Sequence, residues 1–242
     1  MNQVPAITTQ SQLVQALGLA IHTATPHLGL ALGDQPERLK LEILELGRAM
    51  SNQLQLQLMK FVAPYDWTEF AFLAVARGPG GFTGTRLGMV TLRTLAQQLE
   101  IPLYSISTLA AVAQRHWTEK TVSTDQAIAI EMRAQRGQWF TALYQWKAGL
   151  AQPVIHDQVC SPAAWEHRLK TLTPDQPAPP FPAAISNPSV SLQQPIQRIA
   201  VGDDAAQAIA ALWQIAFLRY SRGDRPGWQQ AEPFYGQHPV TH

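Results

Sequence analysis

The 242-residue chain is 46% hydrophobic and only 14% charged, a globular composition long enough for one large domain or two small lobes around a buried core. Its formal net charge of +1 gives no general pull on polyanions, which argues against a broad nucleic-acid-binding face and leaves room only for a local basic patch. A single cysteine, Cys160, excludes an internal disulfide and a multi-cysteine metal site.

Residues 1–16 form an N-terminal extension without the basic start and long apolar run of a signal peptide. No apolar segment approaches the ~18 residues that span a bilayer, so a cytoplasmic protein is expected. "LGLAIHTAT" (17–25) and "HLGLALGD" (27–34) read as two strands of a hairpin. "RLKLEI" (38–43) alternates Leu39, Leu41 and Ile43 with charged residues, as a third strand with one wet face does. Ser51 is placed to cap a helix carrying Leu54, Leu58 and Val62 at four-residue spacing. "FAFLAVA" (70–76) suits a strand buried on both faces. A glycine-rich loop follows, then a helix from about Gly84 to Leu99 with Thr83 as its expected cap, the strand "IPLYSI" (101–106), and a helix capped by Ser107. The order β-β-β-α-β-α-β-α is that of a ribonuclease-H-like lobe, and two such lobes make the actin, Hsp70 and sugar-kinase type of ATPase fold.

The second half predicts a reduced lobe. "AIAIEM" (127–132) and "WFTALYQW" (139–146) read as strands joined by the basic tip "RAQRGQ", and "VIHDQVC" (154–160) as another. Ser161 and Pro162 open a helix. Seven prolines between 174 and 195 forbid helix or central strand there, which predicts a long loop. "RIAVGDD" (198–204) is strand then turn, with Asp203 or Asp204 as the cap of a last helix through Leu218. The expected division is an extension at 1–16, a first lobe at 17–116 and a second at 117–242.

The stretch "ARGPGGFTGTRLGM" (76–89) holds five of the fifteen glycines. It lacks the Gly-Lys-Ser/Thr ending of a P-loop, and its third dinucleotide-motif position is Thr83. Gly78, Pro79, Gly80, Gly81, Phe82, Thr83 and Gly84 therefore form either a tight strand-to-helix turn or an anion site at a helix N-terminus. Arg86 in the first helical turn opposes the helix dipole and is expected either to reach into water or to pair with a carboxylate within the lobe or on a partner. The helix bears two apolar stripes, Leu87/Thr91/Leu95/Leu99 and Met89/Leu92/Ala96/Leu99. One faces the sheet. The other is either sandwiched by this chain or covered by a partner.

"GPGGFTGTRLG" (78–88) resembles the signature of the TsaB family, also called YeaZ, with Gly81 and Thr85 as small departures. "LAIHTAT" (19–25), "ISTLAAVA" (106–113) and "RAQRGQWFTALY" (133–144) are similar to further family segments, and "VGDDA" (201–205) and "AEPFY" (231–235) more loosely so. The resemblance implies a non-catalytic subunit. It would pair as a heterodimer with the transferase TsaD, which places a threonylcarbamoyl group on N6 of the tRNA adenosine next to the anticodon, and would work with the ATPase TsaE. ATP and metal would then sit on the partners, tRNA would be met only through the complex, and a homodimer could form when the chain is alone. The implied partner interface comprises Leu54, Leu58, Arg86, Met89, Leu92, Arg93 and Ala96. His22 stands where active relatives of the fold have a magnesium-placing aspartate, so His22, Thr23 and Thr25 mark a degenerate phosphate site. The family's hairpin carboxylate is replaced at Arg133, and the histidine pair of the transferase is read as missing, so no metal is expected. Three other readings compete: a small-molecule kinase or ATPase of the same fold, a metalloprotease, which would lack the His-Glu-x-x-His pattern, and a direct tRNA binder touching RNA through Arg133 and Arg136.

Overall fold

The structure, a computed structural model, describes residues 16–172, 195–234 and 236. Residues 1–15 of the extension expected at 1–16, residues 174–194 of the proline-rich loop expected at 174–195, and Tyr235 lie outside the described residues.

The first sheet is built as the apolar patterning predicts. β1 (Gly18–His22) pairs antiparallel with β2 (His27–Gly33), and β2 with β3 (Leu39–Glu45). After α1 (Met50–Val62), β4 (Phe72–Ala76) inserts parallel to β1, with Leu19 beside Leu73. Then come α2 (Phe82–Leu99), β5 (Leu103–Ile106) and α3 (Thr108–Thr118), which complete the order β3-β2-β1-β4-β5. The second sheet has the order β8-β7-β6-β9, from β6 (Ala127–Arg133), β7 (Trp139–Lys147), β8 (Leu150–Cys160) and β9 (Ile196–Val201), with α4 (Pro162–Leu172) before β9. α5 (Ile209–Ser221) follows the second sheet in the chain but packs on β1, β2 and β4 of the first. The molecule is a two-lobed α/β protein of the actin-like type.

Alternation along β1 divides the interior. Leu19 and Ile21 face a core closed by Leu54, Leu58 and Phe61 of α1 and Met89, Leu92 and Ala96 of α2. Ala20, Ala31 and Ala74 face the opposite way, into a core that α3 and α5 share with Ile128, Ile130 and Tyr144 of the second sheet. Small residues on that face let the helices approach closely.

Helix starts differ from several expectations. Ser107 caps α3 as predicted, accepting from the N–H groups of Leu109 and Ala110, and Ser161 accepts from the Ala164 N–H at the start of α4. Ser51 and Thr83 are not caps: α1 begins at Met50 after Ala49, and α2 at Phe82 after Gly81, neither with a side-chain cap. Asp203 and Asp204 sit in a 3₁₀ turn (Asp203–Ala208) that precedes α5, and Asp204 binds the Gly202 N–H.

Candidate functional site

At the end of β1 the chain turns sharply, and its own glycine loop packs into that turn. The Gly81 N–H donates to the Ala24 carbonyl at 2.6 Å, and Thr23 Oγ1 donates to the Gly84 carbonyl at 2.8 Å. A Cβ at Gly80 would collide with Ala24 O, one at Gly84 with Thr23 O, and one at Gly88 with Thr23 Oγ1. Two glycines inside a helix each cost about 1 kcal/mol against alanine. Their four-residue spacing makes a flat ridge on α2 on which the Thr23–Ala24 turn rests. The loop makes a tight strand-to-helix turn, and Gly80, Gly81, Phe82, Thr83 and Gly84 also line the cleft between the lobes. Thr25 is likewise engaged locally, bonding the backbone of His27 at 3.3 Å.

His22 is fully buried, and neither ring nitrogen has a partner in the protein. Burial pushes its pKa down to about 4, with the nearby His27 adding to the effect. The ring is therefore neutral at pH 7. Among the described residues, no three His, Cys, Asp or Glu side chains converge on a metal-sized site. The reading of a missing histidine pair needs one correction. His238 and His242 do stand four apart in the tail, outside the described residues.

Between the lobes lies a cleft of about 1380 Å³, with Thr85, Arg48, Arg133, Trp139 and Phe234 among its walls. Two carboxylate residues line it, Glu131 and Asp203, and Glu131 is already committed. One oxygen accepts from the Trp165 indole and from Arg198, each at 2.8 Å. Arg136 and Gly137 both take positive φ at the tip of the β6–β7 hairpin, and Arg133 and Arg136 are both exposed, Arg133 beside the cleft.

The helices on the other side of the first sheet correct the expected interface. Leu54, Leu58, Met89, Leu92 and Ala96 are buried against that sheet, so they are core and not surface. Two members of the expected set reach the outside. Arg86 is exposed, its guanidinium 4.7 Å from the Phe82 ring centre, and half-buried Arg93 lies 5.7 Å over Trp228. The apolar residues that do face out are Leu56 and Met59 on α1 and Phe82 and Val90 on α2; Met59 is 67% and Val90 63% exposed. Phe82, Arg86 and Val90 follow one another at four-residue spacing along α2. The outward apolar stripe exists, but rotated from the one the sequence suggested.

A polar cluster that no motif announced joins the lobes. Asp157 of β8, almost fully buried, accepts from Arg77 after β4 at 2.9 Å, from the α3 cap Ser107 at 2.9 Å, and from the Tyr144 hydroxyl at 2.7 Å. Burial first, and the Asp157 carboxylate next, push the Tyr144 hydroxyl well above its ordinary pKa. The Phe234 N–H donates to the Arg77 carbonyl at 2.7 Å, and its ring packs on Phe140 of the second sheet. The C-terminal segment thus straps both lobes.

Comparison with known proteins agrees with this architecture. The TsaD family model, described as tRNA N6-adenosine threonylcarbamoyltransferase, matches residues 57–217. The tRNA threonylcarbamoyladenosine biosynthesis protein TsaB of Bacillus subtilis (strain 168) is 39% identical over 111 residues, 45% of this chain and 44% of that protein. TsaB of Escherichia coli (strain K12) is 33% identical over 128 residues, 52% of this chain and 54% of that protein. The matches thus span about half the length of these curated relatives. The crystal structure of YeaZ from Pseudomonas aeruginosa superposes with a TM-score of 0.65 at 21% identity, over 91% of this chain and 99% of that one, which speaks for the fold. A second Pseudomonas aeruginosa structure, of a protein described as similar to peptidase YEAZ, superposes with a TM-score of 0.66 at 21% identity, over 92% of this chain and 100% of that one. Matched over more than half its length by the TsaD family model, the chain belongs to the TsaD family, and the relatives named TsaB at 33–39% identity with the YeaZ structures support the TsaB/YeaZ group within it.

Proposed function

We propose that this chain is a non-catalytic subunit that docks on a TsaD-type transferase and is required for threonylcarbamoyl transfer to N6 of the tRNA adenosine next to the anticodon. The observation that carries the reading is the set of exposed apolar side chains on α1 and α2, Leu56, Met59, Phe82 and Val90, with Arg86 stacked on Phe82. An apolar set with a stacked cation has the makeup of an interface centre. The absence of catalytic work is supported by His22, a buried neutral imidazole where a carboxylate would have to hold magnesium, and by the loop that rests on the β1–β2 turn. ATP and metal then belong to the partners, a TsaE-type ATPase among them, and tRNA is met through the complex in the cytoplasm.

Reconstitution tests this. The purified chain alone is expected neither to hydrolyse ATP nor to modify tRNA, and adding the transferase of the same cell should bring modification up. A Met59→Asp/Val90→Asp variant, folded by circular dichroism, should fail to do so. Turnover of ATP by the isolated chain would favour a kinase or ATPase instead, and stoichiometric zinc with peptide hydrolysis would favour a protease.

A further inference from the structure

We propose that the cleft holds a phosphate monoester, its phosphate seated on the first turn of α2 and clasped between Arg48 of the first lobe and Arg133 of the second. The site binds and breaks no bond, and the proposal does not rest on the transferase reading. α2 runs for 18 residues from Phe82, and its N-cap, Gly81, has no side chain to cap it. The first N–H groups of an α-helix lack intrahelical acceptors, and the helix dipole adds about half a positive charge there. Phosphate suits such a helix start. The independent mark is Thr85, one turn in. It is only 2% exposed yet lines the cleft, and its hydroxyl has no hydrogen-bond partner in the protein. Helical side chains lean toward the N-terminus, which sets this hydroxyl over the turn that Gly81 leaves bare. A buried hydroxyl left unsatisfied is costly, and a phosphate oxygen on that turn would accept from it. Gly81 and Thr85 are the two positions at which the loop departs from the signature it resembles, so the resemblance does not supply this site.

Charge selects an anion. Arg48 lies in the 3₁₀ turn Gly47–Ala49 after β3, and Arg133 ends β6. Both are exposed, both line the cleft, and neither makes an ion pair among the described residues. With Glu131 committed to Arg198 and the Trp165 indole, these two cations face one other carboxylate in the lining, Asp203. Each guanidinium can grip two phosphate oxygens. Two of them, with a hydroxyl and a helix start, match a tetrahedral dianion better than a planar carboxylate. The walls set the rest of the ligand. Trp139 and Phe234 line the same cleft half-buried, which suits a flat apolar group. Room is not limiting, because the cleft of about 1380 Å³ exceeds the ~300–1,000 Å³ of ordinary small-molecule sites.

Calorimetric titration of the full chain at low salt, with phenyl phosphate and with inorganic phosphate, tests the proposal. Wild type is expected to bind both, phenyl phosphate at least about tenfold more tightly because its ring lies on Trp139 and Phe234. Neither probe should need magnesium, since the arginines carry the countercharge. Thr85→Val keeps the side-chain shape and removes the hydroxyl. It should weaken both probes about tenfold and leave the free protein at least as stable, because an unsatisfied buried group is gone. Arg48→Gln and Arg133→Gln should each weaken both probes by about tenfold and reduce the salt dependence of binding. Circular dichroism checks that each variant is folded. No binding of either probe would overturn the proposal. So would affinities unmoved by Thr85→Val or by the arginine variants, equal affinity for the two probes, binding seen only with magnesium, or release of phenol.

Discussion

His22 shows how one buried side chain shapes the stability of the whole fold. Its ordinary pKa of about 6.5 applies in the unfolded chain, while burial lowers the folded value to about 4. Above pH 6.5 both states hold a neutral ring and the group does not tilt the balance. As pH falls from 6.5 toward 4 the unfolded chain takes up the proton first, and stability drops by up to about 3 kcal/mol. Urea unfolding at pH 7 and pH 5 should show about 2 kcal/mol of this loss, and His22→Gln should remove that share. Gly84 gives the sharper test of packing. Helix propensity alone predicts that Gly84→Ala stabilises α2 by about 1 kcal/mol. The Thr23 carbonyl occupies the space a methyl would need, so a net loss of about 1–3 kcal/mol is expected in thermal unfolding.

Along α2 the two faces now make opposite predictions. Leu92→Asp places a carboxylate in the core beside Leu54 and Leu73 and should cost at least about 3 kcal/mol, leaving little folded protein in a denaturation experiment. Val90→Asp, on the exposed face, should change stability by less than about 0.5 kcal/mol. The sequence showed that α2 has two apolar stripes and could not say which is buried. The rotation is set by Gly84 and Gly88 against the Thr23–Ala24 turn, and glycine adds nothing to a hydrophobic periodicity. The strand order of the first lobe was legible because its strands are short apolar runs separated by helical spacing. Cap positions were less so: Ser107 and Ser161 do cap, whereas Ser51 and Thr83 fall inside first turns whose start is fixed by packing.

In the whole molecule, the two lobes are tied by groups far apart in the chain. Arg77 and Asp157 are separated by 80 positions, Ser107 and Asp157 by 50. No spacing rule joins them, so this cluster was invisible before folding. Removing the buried carboxylate in Asp157→Ala leaves Arg77, Ser107 and Tyr144 without their shared acceptor. That should cost about 3 kcal/mol and speed hydrogen exchange in β8 and around Phe234 more than in β1 and β4.

The proposed division of labour, docking on the outward helical face with no chemistry in the cleft, is tested most directly by calorimetric titration of the intact chain with the TsaD-type transferase of the same cell, wild type beside Val90→Asp. Saturable binding by wild type and a loss of at least about tenfold in affinity for the still-folded variant are expected. Equal affinities would remove α2 from the interface, and no binding at all, alongside tight magnesium-dependent uptake of ATP by the chain alone, would refute the subunit assignment.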